Sequence, residues 1–377
     1  MRVAALKSRE RVSQASYSLS QKIRFFDTDN TYPQRILKAI ANSSTATSCL
    51  DIYHKFVRGA GFTDPVLLAK MANKKETFAQ LHFKISKDFA TFTGYAIHVS
   101  YNMLLDVVAY HHVPFEHCRY EVDNEKNPTG RIAVHPDWAK ESGKQFRTQD
   151  IIYLNAFNPD KAKVFEEIQE AGGFDSYKGQ IFYFTTEPIG SYPLAHADSV
   201  ATWMETQDSC ANVLFRNARF NFLPAGIITV RKKVKYGSDG EEVEDDKDAF
   251  TSAQSFQGDE NALKMLVVEI ESDEEKPEFT PFNVQNLDKQ FEFTLNAAKD
   301  MITEFYRIPT ELIGRKSGSM FSTDAMIQAY NVYNSDTESE RNTLEQSYNQ
   351  VFQNVGIKFE IAPKIYIEAQ TQKLIQQ

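Results

Sequence analysis

The chain has 377 residues, 42% hydrophobic and 12% aromatic, which is too long for one ordinary core and apolar enough for one compound domain or two. Its net charge of −9 argues against a protein that grips nucleic acid over its whole surface, because neutralising phosphates takes a basic stripe, whereas an acidic wall suits a conduit that must not hold its cargo. Cys49, Cys118 and Cys210 stand far apart and fit a reducing compartment, and no apolar run reaches the length of a membrane span or the core of a signal peptide.

Residues 1–31 read as a polar, irregular arm. Regular structure is expected from Thr31, where Thr31 or Asn30 caps a helix with Pro33 in its first turn and Ile36, Leu37 and Ile40 on one face. Cys49, Leu50, Tyr53, Phe56 and Val57 give a second helical stripe that ends at Gly59, and a third helix is expected from Asp64-Pro65 to Phe89. Past Phe92-Thr93-Gly94-Tyr95-Ala96 the period changes to two. Val107, Ala109, His111 and Val113 then share a face, and Asn127-Pro128-Thr129-Gly130 marks a hairpin turn, so a β-meander is expected as far as Val134. Two more strands, Gln149–Phe157 and Gln180–Thr186, flank a helix from Asp160 to Ala171 that Gly172-Gly173 closes.

A long helix is expected from Leu194 to Arg219, with Ser191 as cap, Pro193 in the first turn, and Val200, Trp203/Met204, Cys210/Ala211, Leu214/Phe215 and Ala218 as its stripe. Ile227–Val230 and Met265–Ile270 read as strands around a polar excursion. In it Arg231, Lys232, Lys233 and Lys235 precede Glu241, Glu242, Glu244, Asp245, Asp246 and Asp248, a pattern equally fit for a solvated loop. A second amphipathic helix carries Leu287, Phe291, Leu295, Ala298, Met301/Ile302 and Phe305, a rod of about 30 Å that Pro309 stops. Gly314 and Gly318 loosen the chain before another helix with Ala325, Ala329, Tyr333, Leu344, Tyr348 and Val351/Phe352. Asn331–Asp336 is poor in helix formers and Thr337-Glu338-Ser339-Glu340 has the form of a capping box, so a kink is expected there. Ile357–Ile367 alternates around Pro363 and is expected to add a strand to the β-region.

Catalytic and cofactor chemistry find little support. Gly314-Arg315-Lys316-Ser317-Gly318-Ser319 lacks the upstream glycine and preceding strand of a phosphate-cradling loop. Adjacent residues on a strand point to opposite faces, so His111-His112 with His117-Cys118 cannot converge on a metal, and Asp27-Thr28-Asp29-Asn30 lacks the glycine and glutamate of a calcium loop and reads as a cap. No nucleophile, base and orienting group assemble, so neither an enzyme nor a cofactor is expected.

Three stretches together resemble the portal proteins of tailed bacteriophages. The helix through Phe305-Tyr306, the turn Ile308-Pro309-Thr310-Glu311-Leu312-Ile313-Gly314 and the loop to Ser322-Thr323-Asp324 are similar to the C-terminal core of the lambdoid branch. Gly190, Ser191, Pro193 and Leu194, followed by Phe215-Arg216-Asn217-Ala218-Arg219 and Pro224-Ala225-Gly226-Ile227-Ile228, are similar to the start and exit of that family's first long helix, with Tyr192 as an insertion. Phe92-Thr93-Gly94-Tyr95-Ala96 and the run Leu105 to Pro114 resemble its approach to a β-rich wing, without the family's asparagine after the glycine.

The resemblance implies an α+β portal fold with little or no crown. It divides into an N-terminal arm (1–31), a wing (32–190), a stem helix (191–221), a small α/β clip (222–284), a second stem helix (285–308), a tunnel loop with a kinked wing helix (309–355) and a C-terminal wing strand (356–377). It further implies a closed ring, a dodecamer, at one capsid vertex, working with the terminase large subunit, the major capsid protein, a head–tail adaptor and double-stranded DNA read without sequence specificity. Its place is the virion, after assembly in the host cytoplasm and away from membranes. The tunnel loop would be Arg315, Lys316, Ser317, Gly318, Ser319 and Met320, or alternatively Asn331, Tyr333 and Asn334; the partner-facing clip residues would be Lys232, Lys233, Lys235, Glu241, Glu242, Asp245 and Asp246. The competing readings are a minor capsid or connector protein, or an α+β enzyme such as a nuclease.

Overall fold

The computed structural model describes residues 16–18, 21–123, 127–138, 148–187, 191–219, 226–231, 235–236, 242–243, 266–270, 279–281, 287–313 and 323–366. The fold is α+β, and the chain divides into two compact units, Met1–Ala201 with Thr303–Gln377, and Thr202–Ile302. The second unit is therefore an insertion into the first.

The larger unit is built on an eight-stranded sheet in the order β1-β2-β6-β7-β8-β9-β4-β5. These strands are β1 (Tyr17–Ser18), β2 (Ile23–Arg24), β4 (Gly94–Tyr101), β5 (Val107–Val113), β6 (Cys118–Val122), β7 (Pro128–Val134), β8 (Ile152–Ala156) and β9 (Gln180–Thr185). Neighbours run antiparallel except β8 and β9, which are parallel. The sheet thus begins inside the stretch expected to be an irregular arm. Ile23 is fully buried beside Ala133, Trp138 and Ile151, and that burial holds the two-residue strand in place. The hairpin turn before β7 comes earlier than expected. Asp123 and Asn127 bond each other across it, and Pro128 already belongs to the strand.

On β5 the expected period of two does not sort by burial: Val107, Ala109 and Val113 are half-buried, and Val108, on the same side as Tyr110, is 56% exposed. Tyr110 packs against Phe78 and Phe352, while His111 is exposed. Gly94 opens β4 where only glycine fits, because a Cβ there would meet the Phe115 ring at 2.7 Å and the Phe184 carbonyl at 2.8 Å.

Helices α1 (Tyr32–Asn42), α2 (Ser44–Arg58) and α4 (Phe78–Phe92) precede the sheet's central strands, and α4 packs on β4, β5 and α2. The single helix expected over 64–89 is two. A five-residue α3 (Pro65–Ala69) ends at Lys70, and α4 starts afresh at Thr77, whose hydroxyl accepts from the Gln80 amide while the Gln80 side chain accepts from Thr77. The converse holds at Thr337. No cap forms there, since its hydroxyl donates to the Tyr333 carbonyl and accepts from Arg341, so the break between α9 (Thr323–Asp336) and α10 (Glu338–Val351) is secured by a buried guanidinium. The C-terminal strand β15 (Ile361–Ala362) pairs with β3 (Gly61–Phe62) in a separate two-stranded sheet, and does not extend the large one.

α10 closes this unit around Tyr348, which is fully buried among the rings of Phe62, His82, Tyr95, Phe352 and Phe359. The Tyr95 hydroxyl donates to Ser347 at 2.7 Å, tying β4 to the same helix. His82 Nε2 donates to the Arg58 carbonyl at 3.0 Å, which fixes the tautomer and leaves Nδ1 to accept from the Tyr348 hydroxyl at 2.8 Å.

Burial is the main cause that brings the pKa of His82, and of its neighbour His54, down from 6.5 to about 4; Arg58 and the other histidine add to it at His54. The folded chain therefore refuses protons that the unfolded chain accepts. Stability is full above pH 6.5 and falls as pH drops towards 4, by roughly 2–3 kcal/mol for each ring. Urea midpoints at pH 7.5 and 4.5 should show this loss, and His82→Gln should show a smaller one than the wild type.

Candidate functional site

The inserted unit starts and ends in long helices. α6 (Ala201–Arg219) and α7 (Leu287–Phe305) have nineteen residues each, about 28 Å of rod at 1.5 Å per residue. α6 begins seven residues later than expected. The segment ahead of it is tied down instead of coiled: Ala195 donates to the Tyr32 hydroxyl and His196 to the Thr91 carbonyl. Ser191 and Pro193 therefore lie outside the helix. Tyr192, the residue that interrupts the motif, is buried, and its hydroxyl donates to the Arg24 carbonyl and accepts from the Tyr120 amide, bridging β2 and β6.

Between the rods, β10 (Gly226–Arg231) runs parallel to β13 (Leu266–Ile270) and antiparallel to β14 (Phe279–Pro281), and β11 (Lys235–Tyr236) pairs with β12 (Glu242–Val243). The sequence pattern showed β10 and β13; β14 is too short to carry a period. Lys235 and Glu242 sit on this small hairpin, in pairs next to one another. Lys232, Lys233, Glu241, Asp245 and Asp246 lie outside the described residues.

The rods have an inward and an outward side. Met204 and Cys210 on α6, and Ala298 and Ile302 on α7, are buried. Phe215 is 61% exposed, Phe293 75% and Met301 42%. Phe293 escaped the periodicity analysis because it stands two residues from both Phe291 and Leu295, off the three-and-four spacing; an aromatic that breaks a helical stripe is the signal that would have found it.

At the root of α7, Tyr306 and Ile308 are buried and Arg307 between them has φ of +51°, so the chain turns sharply ahead of Pro309. The His196 ring stacks on Tyr53 at 4.6 Å and meets Phe305 and Tyr306 at 5.1 and 5.7 Å. Burial holds its pKa below the ordinary histidine value. Short helix α8 (Thr310–Ile313) follows.

Of the two positions for a tunnel loop, Arg315, Lys316, Ser317, Gly318, Ser319 and Met320 lie outside the described residues. The alternative is described, and two of its three members serve the interior of the fold. Tyr333 is 1% exposed and its hydroxyl donates to the Tyr306 carbonyl at 3.0 Å. Asn334 grips the backbone of Lys364 from both sides, donating to its carbonyl at 2.6 Å and accepting from its amide at 3.2 Å. Asn331 alone of the three faces solvent.

The histidine and aspartate clusters are structural. His112 bonds Asp88 at 2.8 Å, His111 lies against His98, and Cys118 is fully buried. Asp27 and Asp29 hold Arg35, with Asp29 also accepting from the Thr31 amide at 3.1 Å, while Asn30 accepts from the Phe26 amide and from Arg119. Among the described residues no group of three or more His, Cys, Asp or Glu side chains could hold a metal ion.

No family model matches the chain, and no curated protein does. Solved structures do. A chain from the neck of an empty gene transfer agent particle is 12% identical over 92% of this chain and 88% of its own, with a TM-score of 0.49. One from the virion of the native particle is 13% identical over 92% and 87%, with a TM-score of 0.47. An HK97 family phage portal protein from Corynebacterium diphtheriae is 12% identical over 83% and 88%, with a TM-score of 0.39.

The role found for Asn334 has a direct check. Asn334→Ala removes both bonds to Lys364 and should lower stability by about 1–3 kcal/mol in urea unfolding. Limited proteolysis should also release the segment after Ala362 sooner than in the wild type.

Proposed function

We propose that this chain is the subunit of a phage portal, a closed ring at one capsid vertex through which double-stranded DNA enters and leaves. The observation that carries the proposal is the inserted unit itself, two nineteen-residue rods bracketing a small β-module. Its support in the sequence is the order of the portal-like stretches, which fall at the root of the first rod, at its exit into β10, and at the turn after the second rod.

Physical chemistry supplies the reason for a ring. Phe215, Phe293 and Met301 leave large apolar surfaces on the rods, and covering a phenyl group is worth about 1.5–3 kcal/mol. When one side of a rod is covered by a different side of the next copy, the contact is heterologous, and a rotation that closes gives a ring. Twelve copies is the stoichiometry that the portal resemblance implies.

In this role the chain does no covalent chemistry. The terminase pumps DNA and spends the ATP, the β-module with its basic and acidic flanks meets first the terminase and later the head–tail adaptor, and the wing meets the major capsid protein. Small polar and basic side chains from Arg315 to Met320 are proposed to touch the DNA backbone without reading sequence. The net charge of −9 keeps a duplex from sticking to the channel.

The exposed aromatics give the test. The wild-type chain should sediment as a single large ring. Phe215→Asp combined with Phe293→Asp should sediment as a monomer with an unchanged circular dichroism spectrum, since both side chains lie on the outward side of their helices. A double variant that still forms the large species would remove the rods from the subunit contact.

A further inference from the structure

A second surface, on the larger unit, is built to hold something acidic. α2 and α4 lie side by side, joined by His54 to Ser86 at 3.0 Å and by His82 to the Arg58 carbonyl. Their outward sides carry Lys55 and Arg58 on one helix, and Phe83 and Lys87 on the other. Among the described residues no ion pair reaches Lys55, Arg58 or Lys87, in a chain where acids outnumber bases. Lys364 joins the same field, its pKa held down by burial and by the charges of Arg58 and Lys55. Lys364 feels the charges of Arg58 and Lys55, and Arg58 and Lys87 both act on His54; like charges so grouped repel, and a partner's carboxylates would relieve them.

The patch also has one large apolar side chain. Phe83 is 44% exposed and borders a hollow of about 370 Å³ whose other lining residues are Lys75, Gln80 and the ion pair of Glu76 with Lys84. Arg58 lies over the Phe83 ring at 5.3 Å from its centroid, and His54 meets the ring in a T-shaped contact at 5.1 Å. With Arg58 over its face, the ring is not free to stack a nucleic-acid base, while the hollow beside it accepts an aliphatic or aromatic side chain. A duplex presents regular phosphates and nothing to fill a hollow.

We infer that the α2–α4 face, Lys55, Arg58, Phe83 and Lys87 with Lys364 beside them, is a docking site for an acidic peptide segment of another protein, anchored by one apolar side chain in the hollow next to Phe83. The carboxylates meet the cations, the anchor covers the phenyl edge, and the guanidinium stays in place on the ring. The site stands whether or not the chain forms a ring.

The experiment uses the full-length protein and a short fluorescein-labelled peptide of Glu and Asp with a central Leu-Phe pair, followed by anisotropy at low and physiological salt. Binding should weaken as salt rises, and Lys55→Glu with Lys87→Glu should reduce affinity by about tenfold or more. Both are exposed lysines, and an unchanged urea midpoint verifies the fold. Phe83→Ser should reduce affinity by about threefold to tenfold while keeping the salt dependence. Undiminished binding by the double charge reversal overturns the inference. So does equal binding of a peptide without the Leu-Phe pair, or displacement of the peptide by duplex DNA at lower concentration, which would make this a nucleic-acid face. Failure to bind when the protein is self-associated, with binding restored on dissociation, also overturns it, because the occupant would then be a second copy.

Discussion

The structure depends on the closure of the larger unit across an insertion of about a hundred residues, Thr202–Ile302. That closure is a set of buried, directional contacts. Tyr348 and Ser347 on the C-terminal helix bond His82 and Tyr95, and the Arg341 guanidinium reaches the carbonyl of Phe56 at 3.0 Å. Each is a buried polar group, for which an unmade bond costs about 1–3 kcal/mol, so the C-terminal helix has one acceptable register against α2 and α4. Both rods of the insertion are thereby rooted in a unit whose two sequence halves are locked together. At the roots, His196 and Tyr53 stack on each other and both meet Tyr306 at a tilt, while His196 also meets Phe305 at the foot of the second rod.

Such an arrangement separates two tasks. The larger unit settles its own stability with an aromatic core and satisfied polar groups, as at Arg119, fully buried and bonded to Asn30, Glu116 and Cys118. The rods keep large apolar side chains on their outward sides, which no isolated subunit covers. Burial of Tyr333 and the double grip of Asn334 on Lys364 serve the same division, because they commit the break between α9 and α10 to the interior of the larger unit.

Much of this was legible in the sequence where the signal was local. The helix ending at Gly59, the helix closed by Gly172-Gly173 and the second rod all follow from apolar spacing plus a terminator next to it. What stayed hidden depended on distant partners. β1 and β2 are two residues each and exist because β6, a hundred residues on, offers an edge and a core for Ile23. The start of the first rod was placed too early; the segment ahead of it is tied to Tyr32 and Thr91 through the amides of Ala195 and His196, and no spacing rule reports such distant contacts. The capping box at Thr77-Gln80 was readable and went unread, whereas the one at Thr337 was read and is replaced by a bond to Arg341. For the candidate site, the rods were visible and their outward aromatics only in part. Tyr333 was legible as a member of its helix's apolar stripe, and only its bond to the Tyr306 carbonyl needed the fold.

Electron micrographs of the purified full-length chain in negative stain test the central claim most directly, that subunits close around an axis through the outward sides of these rods. The account predicts uniform rings with a central hole wide enough for a DNA duplex. A population of single compact particles without a hole, at concentrations where the protein is folded, would contradict it.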